Sequence, residues 1–92
     1  MDQIYKQIVS FQHRCNDYID DSSLPSARAL QQAVQKLEDE AQTGKNPISL
    51  ENRVKEVMSS LKDAGHHSAM SHGHVEELIE QCEHLQNQLR KM

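Results

Sequence analysis

The chain has little of what usually narrows a function quickly. Its 92 residues include no tryptophan, three glycines, two prolines and two cysteines. Its three aromatics, Tyr5, Phe11 and Tyr18, make up 3% of the chain and all fall near its start. A β-sandwich wants aromatic and β-branched strand residues, so this poverty weighs against one. It also leaves little to line a deep substrate pocket. With so few glycines there is no phosphate cradle: Thr43-Gly44-Lys45 lacks the rest of a P-loop and the strand that should precede it. A G-x-S-x-G elbow is absent. Cys15 and Cys82 form no C-x-x-C, which removes zinc-finger and thioredoxin-type readings. No apolar run is longer than two residues, so neither a transmembrane helix nor a signal-peptide core is encoded. The expected location is cytoplasmic.

Positive charge is also scarce. Ten Lys and Arg against fourteen Asp and Glu give a net charge of −4 with neutral histidines. Residues 45–64 hold four bases against three acids, a surplus of a single charge. Binding to nucleic acid needs a basic patch that displaces counterions from phosphates; none is expected here.

What the chain does have is pattern. Ile4, Ile8, Phe11, Cys15 and Tyr18 recur at helical steps of three and four, widened by Ile19. Ala27, Leu30, Val34, Leu37 and Ala41 repeat the rhythm after Pro25, a residue suited to a first helical turn. Leu50, Val54, Val57, Leu61 and Ala64 form the third seam, with Met58 beside it and Ser49 expected as its N-cap. Val75, Leu78, Cys82, Leu85 and Leu89 form the fourth, with Ile79 alongside and Ser71 as the expected cap. Gly44 suits a left-handed cap after the second segment, and Gly65 should end the third.

The spacing predicts a single helical domain over 1–92, with helices at 2–20, 25–42, 49–64 and 72–91. Short connections predict an all-α, antiparallel up-down-up-down four-helix bundle. A three-helix bundle and a bundle completed by dimerisation are the alternatives. Both cysteines fall on seams, and buried free thiols are expected.

Four of six histidines, His66, His67, His72 and His74, lie within nine residues. In an up-down bundle this tract shares one end with Asp20 and Asp21. Imidazole and carboxylate together can hold zinc, nickel or copper, although the spacing matches no established site. The tract therefore carries only an alternative function, a metal- or pH-responsive sensor. His13-x-Cys15 and Cys82-x-His84 look paired, but residues two apart on a helix point about 200° apart. If the thiols face inward, His13 and His84 face solvent. A di-iron site needs Glu-x-x-His on two helices; Glu80 and His84 are four apart and every seam is apolar.

The first segment is over-supplied with apolar surface. Its arc covers about 180°, wider than one neighbouring face can hide. Met1, Tyr5 and Val9 extend this arc to one side, and Tyr and Met are favoured at interfaces. Met1, Tyr5 and Val9 are thus candidate partner-binding residues, with Ile79 on a second surface. The expected function is noncatalytic: an adaptor, chaperone-like subunit, regulator or inhibitor that docks a helical face onto a protein partner or a second copy. No cofactor, membrane or nucleic acid is expected.

Overall fold

Each of the four seams folds into one helix. The computed structural model describes residues 2–44 and 46–92, with α1 at Asp2–Tyr18, α2 at Pro25–Gln42, α3 at Pro47–His66 and α4 at His72–Arg90. Met1, one of the candidate partner residues, and Lys45 lie outside the described residues. Every seam residue is buried except Tyr18, which is half-buried. Each fully buried Leu, Ile or Val contributes about 1.5–3 kcal/mol. That is why an apolar fraction of 36% suffices: few apolar residues are spent on the surface.

The helices pack in a ring. α1 lies against α2, α2 against α3, α3 against α4 and α4 against α1, with no approach across either diagonal among the described residues. This is the up-down-up-down bundle, 35 × 20 × 18 Å in extent. α3 and α4 are separate helices, so the three-helix alternative is not the fold. The four contacts are unequal. α3 sits closely against both its neighbours, and α1 and α4 approach one another least.

The helix ends depart from expectation in instructive ways. α3 begins two residues early because Asn46, not Ser49, is its cap. The Asn46 side chain accepts from the Ile48 amide at 2.8 Å, and Pro47 fills the first helical position. Ser49 instead donates to Glu40 of α2 at 2.9 Å. Glu40 also accepts from Arg53 Nε at 2.8 Å, joining α2 to α3. Ser71 stands at the N-cap of α4, but its side chain makes no cap bond. After α2, Gly44 takes the left-handed conformation at φ 68°, as its position predicts.

Gly65 does not end α3. The helix continues to His66, and the left-handed residue is Ser68 at φ 60°. The Ser68 amide donates to Gly65 C=O at 3.3 Å and the Ala69 amide to Ala64 C=O at 2.9 Å. This is a Schellman ending with serine in the place usually held by glycine. Ala64 and Ala69, which the motif brings together, are both fully buried. Met70 follows Ala69 into the core.

Candidate functional site

The first and third loops do meet at one end. The Asp20 amide donates to Ala69 C=O at 2.8 Å. Beside this contact the Tyr18 ring stacks on His74, with centroids 3.9 Å apart and planes 8° from parallel. The Tyr18 hydroxyl donates to the Glu77 carboxylate. That bond holds the phenol above its ordinary pKa, because losing the proton would set two anions face to face. Asp21 accepts from both the hydroxyl and the amide of Ser23, which lowers its pKa.

The four tract histidines diverge. His74 is occupied by Tyr18. His67 borders a cleft at the start of α2, and His66 and His72 are exposed. Among the described residues no three His, Cys, Asp or Glu side chains gather as a cation would require. Ser26, Asp63 and His67 share the cleft at the start of α2, about 460 Å³ in volume. No hydrogen bond links any two of these side chains among the described residues, so they form no nucleophile–base chain.

Cys15 and Cys82 are free and buried in the core, on α1 and α4. Burial raises both pKa values, that of Cys82 to about 12, since the thiolate would lose its solvation. They are inert packing groups. His13 and His84 are exposed, as the 200° argument requires.

The candidate partner residues separate onto two sides of the bundle. Gln12 donates to Gln35 at 3.0 Å and Asn16 accepts from Gln31 at 3.4 Å, so this flank of α1 faces α2. Tyr5 lies within about 20° of both Gln12 and Asn16 around the helix, and Val9 within about 60°. Both are half-buried, and Tyr5 packs on the core. Ile79 lies within about 20° of Arg90 around α4. Arg90 reaches Glu51 of α3 at 2.7 Å, so Ile79 belongs to the α3–α4 side, half-buried against the core. Tyr5 and Val9 on one hand and Ile79 on the other are therefore not one surface.

The opposite flank of α1 carries no apolar excess in the sequence. Here Gln7, Ser10 and Arg14 of α1 face Gln81 and His84 of α4 across a cleft of about 260 Å³, walled by Phe11 and Leu85. A second cleft of about 250 Å³ continues it past Gln3, Ile4, Gln7 and Gln88 to Met92. Beyond Met92 a third, about 430 Å³, reaches Pro47 and Ile48. Ile48 and Met92, 70% and 58% exposed, are the large exposed apolar residues among those described.

The two flanks of α1 use the same residue type differently. On the α2 side the amides bond across the seam. On the α4 side Gln3, Gln7, Gln81 and Gln88 make no side-chain hydrogen bond among the described residues, and Gln88 Oε1 is buried without a partner. Such an atom costs about 1–3 kcal/mol. Among the described residues Tyr18–Glu77 is the one hydrogen bond between side chains of α1 and α4, and it lies at the loop end. The seam is pinned there, and the two clefts run along the rest of it to Met92. A run of glutamines in helical register, Gln3 with Gln7 and Gln81 with Gln88, was the available signal in the sequence. It passes for ordinary helix surface, because only the packing reveals which face lacks a neighbour.

Among the described residues no helix is long and apolar enough to cross a membrane. Comparison with protein-family models, with curated proteins and with solved structures finds no match to this chain.

Proposed function

We propose that the chain is a noncatalytic protein–protein interaction module of the cytoplasm, an adaptor, regulator, inhibitor or chaperone-like subunit that presents helical surface to a protein partner or a second copy. One observation supports this reading above the rest: the α1–α4 seam is a groove lined by Gln3, Gln7, Ser10, Arg14, Gln81 and Gln88, with buried Phe11 and Leu85 at its floor. A helix laid into a groove is one recurring mode of protein recognition. The Tyr5 and Val9 edge, half-buried on the α2 side, is the second candidate contact.

Affinity purification from the native cell, with mass spectrometry, tests the reading. The wild-type chain is expected to retain a near-stoichiometric protein. Either Ser10→Arg with Gln81→Arg or Tyr5→Glu with Val9→Glu should lose it while keeping the helical spectrum. No such protein, or one kept by both variants, defeats the proposal.

A sensor at the histidine end is the second reading, favoured by the stacked Tyr18–His74 pair with Glu77 below it. Alanine at His66, His67, His72 and His74 should then abolish any response to zinc or pH. Unaltered responses would sink it.

A further inference from the structure

Two nucleophilic groups take no part in the groove. Cys15 and Cys82 are the chain's two cysteines, both free and buried, on α1 and α4. Three observations bring them together. The first is direction: α1 and α4 are neighbours in the ring, and both thiols belong to the core between the helices.

The second is level. α1 and α4 run antiparallel, and contacts across the seam fix their register. Tyr18 meets Glu77, so one turn back along α1, at Cys15, the facing point on α4 has moved on to Glu80. Arg14 shares a cleft with Gln81, and Phe11 with Leu85; counted from these pairs, Cys15 stands level with Glu80 or Gln81. Cys82 is one or two residues further, about 1.5–3 Å along the axis. The third is electrostatic. Burial raises the Cys15 pKa, and a charge at Cys82 raises it further, as a near neighbour does.

The seam they share is the least secured in the ring. α1 and α4 approach one another least, and Tyr18–Glu77 is their one hydrogen bond between side chains among the described residues. Phe11 and Leu85, each one turn from a thiol, floor a cleft of about 260 Å³. Such a seam opens locally at lower cost than the whole bundle unfolds.

We infer that Cys15 and Cys82 are a reversible disulfide pair, which peroxide closes during openings of the α1–α4 seam and which then locks that seam. Each thiol is inert while the seam is shut. In an opening, hydrogen peroxide transfers one oxygen to a thiol sulfur, giving a sulfenic acid and one water. The second sulfur attacks the sulfenic sulfur, the S–S bond forms, and the hydroxyl departs with the thiol proton as a second water. The two thiols have lost two electrons and two protons, and the peroxide has taken them. The bond requires Cα atoms roughly 4.4–6.8 Å apart, so it holds α1 against α4.

The test treats the reduced full chain with hydrogen peroxide in urea well below the unfolding midpoint, where the helical spectrum is unchanged. The expected product is a monomer lacking two hydrogens, with Cys15 joined to Cys82 in its peptide map. Its melting temperature should rise by roughly 10 °C or more, because the bond closes a long loop, and dithiothreitol should reverse the rise. Cys15→Ala and Cys82→Ala should each show no rise. Tyr18→Phe should speed the oxidation several-fold by loosening this seam. Leu61→Ala should speed it less, because Leu61 belongs to α3, which is held closely on both sides.

Survival of both thiols, bonds between chains, separate irreversible oxidation of each sulfur, or a melting temperature that does not rise would each overturn the inference. So would faster oxidation of Leu61→Ala than of Tyr18→Phe, since the thiols would then meet only after global unfolding. The peptide map and melting shift are read on the wild-type chain, so they decide the matter even where a variant fails to fold.

Discussion

Replacing Phe11 by alanine should destabilise the protein less than replacing Leu61 by alanine, although it removes the larger side chain. Both residues are buried, 2% and 0% exposed. Such truncations cost about 3–5 kcal/mol for Phe and about 2–5 kcal/mol for Leu, and the place within each range depends on the void left behind. Phe11 walls the α1–α4 cleft of about 260 Å³. Its removal enlarges a space already open to water and edged by long glutamine side chains that can fold inwards. The cavity contribution should largely vanish, leaving about 3 kcal/mol. Leu61 lines none of the clefts described above, and α3 is held closely on both sides. A sealed void there adds about 24 cal/mol per Å³, placing Leu61→Ala near 4–5 kcal/mol. A domain of this size has about 5–14 kcal/mol in all, so both variants fold in water where the total exceeds about 6 kcal/mol. Urea titration followed by circular dichroism measures the difference. With a slope of about 1–2 kcal/mol per molar, the Leu61→Ala midpoint should lie roughly 1 M below that of Phe11→Ala. A Phe11→Ala midpoint below that of Leu61→Ala would show that the seam is shut, and the groove argument would collapse with it.

Three further outcomes are expected. Ser68→Gly should stabilise by about 0.5–1 kcal/mol, since a left-handed L-residue costs about 1–2 kcal/mol and glycine's extra freedom when unfolded returns only part of that; an unchanged or lower melting temperature would mean the turn is unstrained. Glu40→Gln should cost about 0.5–1 kcal/mol near neutral pH, after discounting for partial exposure. Arg53 and Ser49 hold the Glu40 carboxylate below its ordinary pKa. The stability it supplies is therefore complete above that ordinary value and drains as pH falls through the lowered one. The gap between wild type and variant should close in acid, and thermal melts showing a constant gap would contradict this. Cys15 and Cys82 should resist a disulfide-exchange thiol probe until denaturant is added; two equivalents reacting in the native state would contradict their burial.

The core was legible in the sequence because helical burial has a period. All five seam residues of α2, α3 and α4 are buried where the three-and-four spacing put them, and the turns at Pro25 and Gly44 follow from one residue each. Legibility failed where structure is not periodic. Ala69 and Met70 lie in a loop yet are fully buried, because the Schellman ending at Ser68 folds the chain back over Ala64. Asn46 and Ser49 are equally good caps on paper; Glu40 of α2, a tertiary partner, takes Ser49 and leaves the cap to Asn46. The width of the apolar arc on α1 drew attention to Tyr5 and Val9. The structure puts that side against α2 and leaves the side bearing Gln3 and Gln7 lining the clefts towards α4. Composition cannot tell those flanks apart, because which of them gains a close neighbour depends on how the ring closes.

That incomplete closing has a topological consequence. Gln3 and Met92 line the same cleft, so a linker of a few residues could join Met92 to Gln3. Cutting the joined chain between α2 and α3 would give a permuted bundle in which α4 leads directly into α1. The α1–α4 seam would become a covalent hairpin and the close α2–α3 packing would have to hold without its connection. Whether such a permutant keeps its ligand tells apart a groove that must open to work from one that is simply there.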